Sequence, residues 1–164
     1  MNKILLTGST GFIGSQLLKN FTLNNKVYVI IRKKSYNSKN KNIINIPFKD
    51  FDKLKKDLKK IKVDTVIHCA THYVKNHQYN DLKKLSESNI LLGNIILENL
   101  QKMNVKKFIN FSTVWTHYDG KEGNFFNLYS VYKENFNNII NYYSKSLKKI
   151  KFFNLVISDT FGKV

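Results

Sequence analysis

Arginine is almost missing from this 164-residue chain: Arg32 is the only one among 28 basic residues, against 11 acidic ones. Proline is as scarce, with Pro47 alone. One cysteine, Cys69, excludes an internal disulfide and fits a reducing, cytoplasmic setting. No run approaches the roughly 18 apolar residues of a membrane span, and the apolar part of MNKILLTGST is too short for a signal peptide. The formal charge of +17 invites a nucleic-acid reading. The scarcity of arginine opposes it, because readers of bases and phosphates rely on guanidinium forks. The 27 lysines are spread along the chain and 22 asparagines accompany them, the pattern of a biased base composition and a lysine-rich surface. No nucleic-acid partner is expected. The charge favours anionic small molecules such as nucleotides.

What is present is an alternation of strand and helix. Lys3–Thr7, Val27–Ile31, Ile43–Ile46, Thr65–Cys69, Lys107–Ser112 and Phe152–Ile157 read as short β-branched or aromatic strands. Phe12–Leu23, Asp50–Lys60, Asp81–Asn104 and Leu128–Leu147 carry helical periodicity, and Lys33–Asn42 reads as an exposed loop. This rhythm predicts one α/β domain over residues 1–164. Its fold is the Rossmann doubly wound parallel sheet, six strands in order 3-2-1-4-5-6 with helices on both faces.

Between the first strand and first helix lies Thr7-Gly8-Ser9-Thr10-Gly11-Phe12-Ile13-Gly14. Gly8 permits a tight turn, Gly11 lets backbone approach a pyrophosphate, and Gly14 allows close packing of helix on strand. The N–H groups opening the helix then face the anion. A glycine turn with no ligand is the alternative, but the strand–turn–helix context is the one dinucleotide binding requires.

TGSTGFIG resembles the opening of the extended short-chain dehydrogenases/reductases of the NAD-dependent epimerase/dehydratase type, whose motif is TGxxGFIG. In the same order, Val63–Ala70 (VDTVIHCA) resembles that family's DxVIHLAA strand and Ser88–Glu98 its NxxGTxNLLE helix. Lys106–Thr113 (KKFINFST) resembles the strand ending in the catalytic Ser/Thr, Asn127–Lys133 (NLYSVYK) carries YxxxK, and Phe152–Gly162 resembles LRxxNVYGP. The resemblance spans essentially the whole chain. It implies a cofactor held by Gly8, Thr10, Gly11, Phe12, Ile13, Gly14, Arg32 and Ala70, with Tyr129 and Lys133 at its nicotinamide end. It also implies catalysis by Thr113, Tyr129 and Lys133 on a nucleotide-linked sugar. Tyr129 shuttles the proton, Lys133 lowers its pKa and holds the ribose, and Thr113 orients the substrate oxygen. A homodimer is left open.

Nine tyrosines and 27 lysines produce roughly one to two YxxxK pairs by chance, so order in the chain must choose between Tyr79/Lys83 and Tyr129/Lys133. Only the second follows Thr113, and the first is read as chance. The family's SSxxVYG is here Ser112-Thr113-Val114-Trp115-Thr116-His117-Tyr118. Val114 and Trp115 replace the Asp-Glu pair that performs elimination in 4,6-dehydratases, which disfavours a dehydratase. TVWTHYDG…NLYSVYK resembles deoxysugar reductases of the CDP-abequose synthase type, and an epimerase is the alternative reaction. After the second strand Arg32-Lys33-Lys34-Ser35 contains no carboxylate to take a ribose 2′-OH. This predicts NADP over NAD, with Arg32 on the 2′-phosphate.

His68, Cys69, His72 and His77 cluster in sequence, yet adjacent residues of a strand point to opposite faces, so no metal is expected. His117 follows Thr113 closely enough to reach substrate. The family's substrate lobe has no counterpart in these 164 residues. The expectation is therefore a fragment with weak cofactor binding and little turnover, or a cofactor-binding module without catalysis.

Overall fold

The computed structural model describes residues 1–32 and 40–162. The expected basic loop, including Lys33, Lys34 and Ser35, lies largely outside the described residues. Six strands form one all-parallel sheet in the order β3-β2-β1-β4-β5-β6, as expected. They are β1 (Asn2–Thr7), β2 (Asn25–Ile31), β3 (Ile43–Pro47), β4 (Thr65–His68), β5 (Lys107–Thr113) and β6 (Lys151–Ile157). Pro47 ends the edge strand β3, where its missing N–H costs no ladder bond on the solvent side.

Alternation along the strands sorts side chains into two cores. Leu5, Val66 and Phe108 point to one face, under α2 (Phe51–Leu58), α4 (Leu92–Asn99) and α5 (Leu128–Ser146). Ile4, Leu6, Val27, Val29 and Ile67 point to the other, against Leu18 of α1 (Phe12–Phe21). On that second face Phe153 and Leu155 of β6 stay 44% and 43% exposed.

Three boundaries differ from expectation in ways that matter to function. The predicted helix over Asp81–Asn104 is three pieces: α3 (Asp81–Ser86), a π turn at Glu87–Leu91, and α4. The extra residue of the π turn rotates Ser88 and Asn89 inward, where both are buried. Apolar periodicity continues on either side, so it does not reveal the turn. β4 ends at His68, releasing Cys69 and Ala70 into the crevice. After β5, Val114–Gly120 form irregular 3₁₀ turns, to which the sequence reading assigned no element, broken at Asp119, where φ is +54°.

Helix α5 begins on a capping box. The Asn127 side chain accepts from Ser130 N at 3.0 Å, and Ser130 Oγ accepts from Asn127 N at 3.2 Å. This cap sets the first turn of the helix, which carries Tyr129.

Candidate functional site

The carboxyl ends of β1 and β4 open onto a groove of about 950 Å³, lined by Gly8, Thr10, Gly11, Phe12, Ile13, Gly14, Arg32 and Ala70. Eight of the ten residues expected at a cofactor are thus brought together; Tyr129 lines the adjoining cavity and Lys133 lines neither. Gly8 has φ +68°, and a Cβ there would lie 2.7 Å from Ala70 N. The turn is therefore pressed against the end of β4. A Cβ on Gly14 would sit 2.1 Å from Gly8 O, so α1 rests on the turn itself. Gly11 caps α1 with no side-chain bond, leaving the first-turn N–H groups without a side-chain acceptor. A Cβ on Gly11 would meet only Gly8 O, at 3.3 Å, so its outer side is open. A glycine cradle, uncapped helix amides and a groove of this volume fit a dinucleotide.

Ala70 N donates to Thr7 Oγ1 at 3.0 Å, and Thr7 Oγ1 bonds His68 Nδ1 at 2.9 Å, tying β1 to β4 at the groove floor. Arg32 Nη2 donates to Ser88 Oγ at 3.0 Å, and its guanidinium lies 5.8 Å from the Phe48 ring centroid. The sequence reading singled out Arg32 but missed Ser88 and Phe48. The only signal for Ser88 is a polar Ser-Asn pair inside an apolar helical run.

A second cavity of about 610 Å³ adjoins the groove. Thr113 and Tyr129 line it together with Trp115, Phe126 and Asp159. Thr113 Oγ1 accepts from Trp115 N at 3.3 Å, which leaves its own proton available to donate. Trp115 Nε1 donates to Asp159 Oδ1 at 3.3 Å, and its ring packs 4.7 Å from Phe126. His117 does not line this cavity; its Nδ1 bonds Thr116 Oγ1 at 2.9 Å.

Lys133 is buried and lines neither cavity. Burial lowers its ammonium to about 8, against a smaller opposing influence from Cys69. Burial likewise holds His68 neutral, at about 3, with the Lys133 charge adding to the effect. Burial pushes the Cys69 thiol up to about 12. The expected lowering of Tyr129 by Lys133 is not what the surroundings produce. Burial raises the phenol, the Thr71 side chain works in the opposite direction, and Tyr73 raises it further. Helical spacing puts Tyr129 and Lys133 on one face, but the ammonium acts on Cys69 in the groove wall and on His68. His68 and Cys69 belong to opposite faces: His68 stacks with Phe108 and Phe136, and Cys69 packs on the α1 side.

Tyr79 and Lys83, the other YxxxK pair, line neither cavity, and Tyr79 is 85% exposed. No helix among the described residues is long and apolar enough to cross a membrane.

The chain is similar in sequence and in fold to known proteins. The chain is 32% identical over 126 residues to a dTDP-D-glucose 4,6-dehydratase of Dictyostelium discoideum, covering 69% of this chain and 29% of that one. It is 26% identical over 171 residues to a CDP-abequose synthase of Yersinia pseudotuberculosis, covering 98% of this chain and 56% of that protein. The chain thus spans about a third to a half of the length of these relatives. Among solved structures, UDP-glucose 4-epimerase of Thermotoga maritima superposes with a TM-score of 0.82 at 21% identity, over 98% of this chain and 56% of that one. The model of the NAD dependent epimerase/dehydratase family matches residues 4–164, and the chain belongs to that family.

Proposed function

We propose that this domain binds NADP(H) and carries the proton-transfer groups of a reductase acting on a nucleotide-linked sugar. The observation that carries the reading is the seam between the two cavities. Thr113 and Tyr129 line a cavity that shares Ile13, Tyr73 and Thr160 with the glycine groove. A cofactor lying on the turn and a substrate beside Tyr129 would therefore meet there.

The cofactor supplies or accepts hydride when bound. The chain's own residues do the rest. The first-turn amides of α1 and the Gly8–Gly11 turn hold the pyrophosphate, and Arg32 takes the 2′-phosphate. Thr113 donates a hydrogen bond from its hydroxyl to the reacting oxygen and orients it. Tyr129, kept protonated by burial, delivers a proton to that oxygen in the reducing direction and recovers one in reverse. Lys133 provides a buried positive charge beneath the site. Val114 and Trp115 offer no proton acceptor for an elimination, which favours reduction over dehydration. The relatives named CDP-abequose synthase support the same branch. Epimerisation is the second reading, favoured by the epimerase fold neighbours.

Calorimetric titration of the chain with NADPH and NADH tests the cofactor half. NADPH should bind at least tenfold tighter, about 1.4 kcal/mol. Equal affinities, or a preference that survives Arg32→Ala, would overturn it.

A further inference from the structure

Tyr73 belongs to no helix or strand, yet it stands where the two cavities meet, one of three residues lining both. Its ring meets Tyr129 edge-on, with centroids 5.1 Å apart and planes at 86°. Such edge-to-face pairs are favoured by the aromatic quadrupole and restrict how either ring turns. More than half of Tyr73 is exposed, so the hydrophobic core does not account for its placement.

The segment bearing it is held by one residue. Asn89 Oδ1 accepts from His72 N at 2.8 Å and from Thr71 Oγ1 at 2.9 Å, while Asn89 Nδ2 donates to His72 O at 3.0 Å. Because both backbone groups of His72 are engaged, the amide has one orientation. Asn89 is itself buried in the π turn. The chain after β4 is thereby clipped to the helix layer, with Thr71 and Tyr73 on either side of the clip.

We propose that Tyr73 is a positioning residue for Tyr129: its ring edge holds the Tyr129 ring at the seam and keeps water of the cofactor groove off the phenol. The ring excludes the water, and the Tyr73 hydroxyl adds only a smaller electrostatic effect on Tyr129. The inference rests on Tyr129 being the proton-transfer group. The titratable groups around it are the Tyr73 phenol itself, which raises Tyr129 electrostatically, Lys133 one turn along α5 and, on the substrate cavity, Lys75 and Asp159. Substitution at position 73 leaves the last three in place, and Tyr73→Phe, Tyr73→Ala and Tyr73→Leu all remove the Tyr73 phenol alike, so the difference between Phe and the other two isolates the ring.

The test is titration of Tyr129 in the 164-residue chain, labelled with ¹³C at the tyrosine ζ carbon. The Tyr129 resonance is identified by its loss in Tyr129→Phe. In the wild type and in Tyr73→Phe the phenol should titrate above the ordinary tyrosine value. In Tyr73→Ala and Tyr73→Leu the midpoint should fall towards that value, with urea unfolding midpoints unchanged. Tyr73→Leu keeps apolar bulk and guards against collapse of the segment. The proposal is overturned if the midpoint is the same in all four proteins, or if Tyr73→Phe behaves as Tyr73→Ala does. No turnover enters the readout, so a negative result would leave the role of Tyr129 standing. A loss of activity in Tyr129→Phe would not by itself support Tyr73.

Discussion

Replacing Lys133 with methionine should make the domain more stable while removing what the site needs. The ammonium is buried and its pKa falls from the usual 10.5 to about 8. Each unit is worth 1.36 kcal/mol, so keeping this charge in the folded state at pH 7 costs about 3 kcal/mol. Methionine is of similar length and brings no charge to desolvate. The sign follows from proton counting. Between pH 8 and 10.5 the unfolded chain holds the Lys133 proton and the folded chain has released it, so the wild type gains stability as pH rises through that window. Below pH 8 both states are protonated and the full penalty applies. Urea unfolding followed by circular dichroism should therefore find Lys133→Met more stable by about 3 kcal/mol at pH 7, and the gap should shrink by about 2 kcal/mol at pH 9.5. NADPH affinity, measured on the same protein, should fall. Such an exchange of stability for function is expected of a strained functional group. A variant less stable than wild type at pH 7, or a gap that ignores pH, would refute the reasoning.

Three further outcomes follow from the same geometry. His68 remains neutral down to about pH 3 in the fold but protonates near 6.5 when unfolded. Stability should drop by about 2 kcal/mol from pH 8 to pH 5, and His68→Gln should abolish most of that drop in urea melts. Asp57 and Asp64, whose carboxyls are lowered by bonds to Lys53 and Lys3, lose their contributions only below the ordinary 3.8 and leave this window clear. Gly14→Ala places a Cβ 2.1 Å from Gly8 O, so the turn must open. Its NADPH Kd should rise at least tenfold by calorimetry, and an unchanged Kd would contradict the cradle. Asn127→Ala removes the α5 cap and should cost about 1 kcal/mol in urea unfolding.

Much of this was legible because it is local. The Gly8, Gly11 and Gly14 turn is specified by eight consecutive residues, and six short strands separated by helices admit few topologies. The β3-β2-β1-β4-β5-β6 order follows from that alternation. What escaped depends on contacts far apart in the chain. Ser88 meets Arg32 across 56 positions, and Asn89 grips residues 17 and 18 positions away through a π turn that leaves the apolar pattern undisturbed. The i,i+4 spacing of Tyr129 and Lys133 was correctly read as one helix face. Spacing carries no information on depth, so the direction of the Tyr129 shift could not be read from it. Trp115 stands out in the sequence for the carboxylate it lacks, whereas its indole bond to Asp159, 44 positions on, emerges only when β5 and β6 lie side by side.

The claim on which the rest depends is that Tyr129, and no other tyrosine, moves the proton. It is tested by placing Tyr129→Phe and Tyr79→Phe separately in the protein that carries this domain and following NADPH oxidation with a nucleotide-linked 4-keto sugar. Tyr129→Phe should bind NADPH as the wild type does and lose roughly 10²–10⁴-fold in turnover, the loss expected when a positioned acid–base is removed. Tyr79→Phe, altered at an exposed ring that lines neither cavity, should keep the wild-type rate. Wild-type turnover in Tyr129→Phe would contradict the account.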